Sequence, residues 1–256
     1  MAFPHFPDKH KNPAVLSPEE MLSRRGKNGK KQLRGASGAI LCLQSQSLEY
    51  LTRKFVGKKA EGFTGTVVTL KKTGFRIAAA RPQGLGAPGV AVILEELAAS
   101  GIRSCFAVGV AGALQESIAT GDFIIPTEAI RDEGTSHHYL ASDCPASPSN
   151  ELFHRLATAL AERDLRHMAG RVWTTDAPYR ETALEIARYQ NDGVLAVDME
   201  ASAFLSVCFA LNIEAVSALV AADSLTGGKW RPPAKDKTVN TSLKLIADAA
   251  VEVLAS

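Results

Sequence analysis

The sequence predicts an α/β domain whose sheet is covered on both faces, and three observations carry that prediction. First, Val194–Val197 and Ala215–Ala222 are continuous apolar runs, the pattern of strands buried on both sides. Second, the stretch between them repeats apolar residues at Met199, Ala203, Phe204, Val207, Cys208 and Leu211, a helical period on one face. Third, acidic residues stand where each strand ends, Asp198 and Glu200 after the first and Asp223 after the second. Ligands of open α/β sheets bind at the carboxyl ends of strands, so these carboxylates mark a candidate rim. Each also has a plainer reading: Glu200 complements a helix dipole, and Asp223 caps or turns the chain ahead of Ser224.

A chain of 256 residues with a formal net charge of +2 has room for one large α/β domain or two small ones. Its charge carries no excess that would recruit nucleic acid. No apolar run reaches the ~20 residues of a membrane span. The opening MAFPHFPDKHKNP lacks an apolar signal core. A cytoplasmic location is expected, without membrane or nucleic-acid partners. Cys42, Cys105, Cys144 and Cys208 show no C-x-x-C spacing and read as reduced, mostly buried thiols. His137 and His138 would face opposite ways on a strand, so no shared metal is expected.

Residues 1–36 lack apolar periodicity and read as an N-terminal arm, leaving 37–256 as one domain. Within the arm, Ser17–Leu22 starts a short helix, with Ser17 as cap and Pro18 at the first position. The basic run Ser23–Arg34 reads as a solvated, mobile loop; the sharper alternative is an arm that carries cations to a phosphate. Ala39–Leu43 is the first buried strand, followed by a helix through Leu48–Phe55. Thr64–Leu70 and Phe75–Ala80, joined by Lys71–Gly74, form a hairpin.

Gly84, Gly86 and Gly89 then make a G-x-G-x-x-G pattern ahead of a helix over Val90–Ser100. A dinucleotide site is discounted, because the next strand, Ser104–Val108, ends in a glycine turn (Gly109–Gly112) instead of an acidic residue. Two glycine turns suit a pocket lined by backbone N–H groups, and equally suit tight packing. Gly121–Ala129 is a further strand, and Ile130–Leu140 (IRDEGTSHHYL) reads as a salt-bridged turn with no catalytic role assigned. Ala141–Pro148 is a loop and Glu151–Arg163 a helix. Val172–Thr174 ends a strand, and Glu181–Tyr189 is helical. Gly227–Asp236 is a polar loop over the Asp223 rim whose Lys229, Trp230 and Arg231 either gate a pocket or cover the core edge. Thr241–Leu254 closes the chain as an amphipathic helix.

VDMEAS (Val197–Ser202) followed by AADSL (Ala221–Leu225) resembles the nucleoside phosphorylase and nucleosidase superfamily, purine and uridine phosphorylases included. RDEGTS (Arg131–Ser136), TTDAPYRE (Thr174–Glu181) and GLGAP (Gly84–Pro88) extend the resemblance over roughly Ala39–Ser256. It implies a three-layer αβα sandwich with a central mixed, partly barrel-like sheet. It also implies cleavage of an N-glycosidic bond, by a nucleoside phosphorylase or by a nucleosidase using water. A non-catalytic nucleoside-binding protein is the reading from a different class. By the resemblance, Asp223 is a general acid toward the base, Glu200 holds the ribose hydroxyls and Met199 packs on the sugar. Asp198, Tyr179, Arg180, Gly86, Gly109 and Val110 complete the expected substrate contacts. No resident cofactor is implied, inorganic phosphate being a co-substrate of the phosphorylases. A homo-oligomer is expected, with His5 or His10 as residues that a neighbour's site could borrow.

The chain departs from the phosphorylase pattern where phosphate is gripped. Gln44–Tyr50 (QSQSLEY) replaces the family's Gly-Asp-Pro-x-Arg loop, and Ala107 and Val110 stand where an Arg and a Thr are usual. Arg81, Arg53 or the basic arm must then supply cations, or else water is the nucleophile.

Overall fold

The computed structural model describes residue 6 and residues 9–25, 29–233 and 237–255. Among them the strands in chain order are β1 (Gly38–Cys42), β2 (Gly57–Ala60), β3 (Gly65–Leu70), β4 (Ile77–Pro82), β5 (Ser104–Ala113), β6 (Phe123–Asp132), β7 (His167–Thr175), β8 (Ala196–Asp198) and β9 (Glu214–Ser224). The helices are α1 (Pro18–Arg24), α2 (Gly29–Leu33), α3 (Ser45–Lys54), α4 (Ala87–Ala99), α5 (Asn150–Ala161), α6 (Ala183–Asn191), α7 (Ala201–Ala210) and α8 (Thr238–Ala255).

The strands join one mixed sheet in the order β2-β3-β4-β1-β5-β8-β7-β6-β9, and β9 returns to pair with β5. That last pairing closes β5, β8, β7, β6 and β9 into a barrel, while β2, β3 and β4 remain an open antiparallel wing. β5 runs parallel to β1 and β9 and antiparallel to β8, so it is the hinge between wing and barrel. One core, including Leu94, Leu97 and Phe204, packs under α4 and α7; a second, including Phe106, Leu156 and Ile246, packs under α3, α5 and α8. With both faces covered, all five residues of β1 are buried, which explains the unbroken apolar runs in the sequence. The three-layer arrangement with a partly barrel-like sheet is the one expected.

Three local expectations are corrected and one unforeseen strand is added. Gly109–Gly112 is no turn: β5 continues through it to Ala113, with a bulge between Ala111 and Gly112. The glycines serve close packing, since a Cβ on Gly109 would lie 2.7 Å from Leu43 Cδ1. α7 is not one-sided, for every residue from Ala201 to Cys208 is buried. Edge strand β2 carries two exposed lysines, which hid it from a search for apolar runs.

The basic run, finally, is not a solvated loop throughout. Ser23 and Arg24 end α1, Leu33 in α2 is fully buried, and Arg25 pairs with Glu96 of α4 at 2.7 Å. Ser17 caps α1 as expected, accepting from Glu20 N–H at 3.1 Å. Residues 26–28 of this run, 234–236 of the Gly227–Asp236 loop and His5 lie outside the described residues. Among the described residues no helix is long and apolar enough to cross a membrane.

Candidate functional site

β8 is only three residues long, and its end delivers Asp198, Met199 and Glu200 to the start of α7. Asp198 is what makes that short connection rigid. Its Oδ2 accepts from the backbone N–H of Glu200 at 3.2 Å and of Ala201 at 2.7 Å, satisfying two donors that a helix start leaves open. Its Oδ1 accepts from Thr174 Oγ1 at 2.6 Å, which ties α7 to β7. Burial pushes the Asp198 carboxyl up to about 6, against the pull of these hydrogen bonds.

Glu200 turns toward the first glycine loop, where its Oε1 accepts from Gly86 N–H at 2.8 Å. Gly86 holds a φ of +82°, in the range that glycine tolerates best. Its part is therefore to aim an N–H at Glu200. Burial, followed by repulsion from Asp198, raises the Glu200 carboxyl to about 7. Asp223, near the end of β9, accepts from Trp230 Nε1 at 2.7 Å, so the loop after β9 folds back over its own strand end. Behind Asp223 the packing is close: a Cβ on Gly112 would stand 2.5 Å from Leu225 Cδ1 and 3.1 Å from Asp223 Oδ1, so a side chain there would push both.

These groups line one cavity of about 710 Å³ at the barrel's rim, within the usual size range for small-molecule sites. Of the expected residues, Asp198, Met199, Glu200, Asp223, Tyr179 and Val110 line it. Arg180, Gly86 and Gly109 do not: Arg180 is exposed, Gly86 supports Glu200 from behind, and Gly109 packs on Leu43 and Leu219. Among the lining residues missed or left open by sequence reasoning are Glu181 and Trp230. Trp230 was foreseeable from its place in the loop over the rim. Glu181 follows a polar string and carries no periodic signal.

The RDEGTS segment braces this site from behind. Arg131 donates to the carbonyls of Ala141, Cys144 and Leu140 at 2.6, 2.8 and 3.1 Å, so it orders the loop through carbonyl oxygens instead of the expected ion pairs. Buried Glu133 accepts from Thr135 N–H, Ser136 N–H and Ser202 Oγ, which fastens the loop to α7. Among the described residues, no Lys, Arg or His lines the cavity. Nor do three or more His, Cys, Asp or Glu side chains converge to hold a metal ion.

Comparison with known proteins gives a consistent result. Residues 39–255 match the family model of the phosphorylase superfamily. A guanosine phosphorylase of Halorubrum lacusprofundi is 26% identical over 170 residues, covering 66% of this chain and 70% of that protein. A DeoD-type purine nucleoside phosphorylase of Bacillus cereus is 28% identical over 194 residues, covering 75% of this chain and 80% of that protein. The crystal structure of uridine phosphorylase from Vibrio fischeri superposes with a TM-score of 0.77 at 25% identity, covering 87% of this chain and 93% of that one.

Proposed function

The chain belongs to the phosphorylase superfamily, and on that premise we propose that it breaks the N-glycosidic bond of a purine or uridine-type nucleoside, passing the pentosyl group to phosphate. The supporting observation is the gathering of Met199, Glu200 and Asp223 on one cavity at the strand ends. In this reading Glu200 accepts from the ribose hydroxyls, Met199 packs on the sugar and Tyr179 stacks on the base. The bond from C1′ to the base nitrogen breaks, its electron pair leaves with the base, and a proton from the Asp223 side neutralises the departing anion. A phosphate oxygen then bonds C1′, giving a pentose 1-phosphate and free base. No resident cofactor takes part, and the protein works as a homo-oligomer.

One observation favours a second reading, with water as the nucleophile. Phosphate is held by cations or converging N–H donors, and among the described residues the cavity wall carries no Lys, Arg or His. Arg81 and Arg53, the expected substitutes, are not on that wall. The carboxylates that are there repel an anion.

Base release from a panel of nucleosides, assayed with and without phosphate, tests both readings. Turnover that needs phosphate and yields pentose 1-phosphate supports the phosphorylase. Free pentose at a rate indifferent to phosphate supports the nucleosidase. No release from any nucleoside overturns both and leaves a nucleoside-binding protein.

A further inference from the structure

Glu181 stands out because its carboxyl has no structural task. It lies between the turn Pro178–Arg180 and helix α6, where a carboxylate usually caps the helix. That position is already filled: Thr182 Oγ1 accepts from Glu185 N–H, and the Glu185 carboxylate accepts from Thr182 N–H at 3.1 Å and Oγ1 at 2.7 Å. The Glu181 side chain accepts no hydrogen bond among the described residues and instead lines the cavity with Asp223. The two stretches that carry these carboxyls touch each other: a Cβ on Gly228, in the loop after Asp223, would lie 3.4 Å from Ala183 Cβ.

The two carboxyls differ in their surroundings. Asp223 accepts from Trp230 Nε1 at 2.7 Å. Glu181 is half-buried, and the charges that act on it are those of Asp223 from β9 and Glu185 from α6, with Asp198 and Glu200 lining the same cavity. Its one cationic chain neighbour, Arg180, is exposed and off the cavity wall.

We propose that the acid toward the departing base is a carboxyl pair, Glu181 with Asp223, in which Glu181 carries the proton. This rests on the nucleoside-cleaving reading above. Burial first, then the charge of Asp223, raises the Glu181 carboxyl to about 7, so a proton remains available at neutral pH where a lone carboxylate has lost it. Glu181 passes that proton to the base nitrogen beside Asp223 and is left as a carboxylate. The pair is restored by uptake of one proton from water.

The test compares a nucleoside with p-nitrophenyl β-riboside, whose leaving group departs without protonation. In Glu181→Gln the expected loss of kcat is about 100-fold or more on the nucleoside and little or none on the nitrophenyl riboside. The wild-type decline in kcat as pH rises through about 7 should vanish in that variant. Glu181→Asp should restore part of the nucleoside rate. Equal losses on both substrates, or a full nucleoside rate in Glu181→Gln, overturn the inference. A wild-type enzyme inert on every nucleoside overturns the underlying reading first and takes the pair with it.

Discussion

Ser202 Oγ donates to Glu133 Oε1 at 2.9 Å, joining the first turn of α7 to the loop after β6. Both residues are buried, and Ser202 N–H also donates to Thr174 Oγ1 at 3.0 Å, so the same turn is fixed to β7. The Met199–Glu200 connection therefore hangs between two anchors outside the cavity. Ser202→Ala leaves Glu133 its two backbone donors, and the expected cost is about 1 kcal/mol. Glu133→Gln replaces an acceptor-only carboxylate with a group half of which donates, and should cost more, about 1–3 kcal/mol. Urea unfolding of the two variants gives both figures. Equal stability of Glu133→Gln and wild type would show that the loop does not brace α7.

Folding stability should fall as pH rises from about 4 to about 7. Asp198 and Glu200 have carboxyls raised to about 6 and about 7 in the folded chain. Between the ordinary carboxylate range and those values the folded state binds more protons than the unfolded state, so raising the pH favours unfolding. The stabilisation is complete below about pH 4 and gone once the pH passes the raised values. Glu200→Gln removes one of the two titrating groups, the one that Asp198 raises by repulsion. Its melting temperature should vary less with pH over this window. A wild-type stability that climbs between pH 4 and 7 through these groups would contradict the raised values.

The pH profile of activity separates the carboxyls by sign. Glu200 binds ribose hydroxyls best as a carboxylate, so activity is lost as pH falls through about 7. Glu181 acts protonated, so activity is lost as pH rises through about 7. The expected kcat profile is a narrow bell near neutrality, with the alkaline limb absent in Glu181→Gln. A profile flat from pH 5 to 9 would mean that neither group titrates during turnover.

Much of this architecture was legible in the sequence because periodicity reports burial directly. β1, β9 and the flanking helices follow from apolar runs and helical repeats, and the Asp198, Glu200 and Asp223 carboxyls follow from their places at strand ends. What escaped depends on partners distant in sequence. Asp198 is a helix cap as well as a cavity residue, and its bond to Thr174 spans 24 positions. Glycine within a packed strand looks like a turn until Leu43 and Leu219 are seen against Gly109. Glu181 is half-buried where the loop after β9 meets the start of α6, a contact that no local pattern encodes.

Gly112→Ala tests the packing behind Asp223. The new methyl meets Leu225 Cδ1 at 2.5 Å and Val197 Cγ1 at 3.4 Å, inside a small buried cluster with Trp173 and Ile186. Something has to move, and overpacking of this kind costs about 1–3 kcal/mol. Because Asp223 Oδ1 lies 3.1 Å from the added carbon, the carboxyl itself should shift. Melting temperature and kcat are expected to fall together, and an unaltered kcat would mean that the Asp223 position is not set by this contact.

Trp230→Phe separates the two roles open to the loop after β9. Trp230 is 64% exposed, so its ring adds little to the core, yet its Nε1 is a donor to Asp223 Oδ2 at 2.7 Å. If the residue covers the core edge, the phenylalanine ring should keep part of that cover and stability should drop with little change in rate. If it holds Asp223 for the reaction, stability should stay within about 0.5 kcal/mol, as for surface changes in general. The rate should then fall about 10-fold, because a hydrogen bond to a charged group is worth about 1.5–3 kcal/mol before solvent screening. The second outcome is expected, since the indole N–H points at a cavity carboxylate instead of a backbone carbonyl. A thermal melt and a single-substrate kcat measurement on the same preparation decide between them.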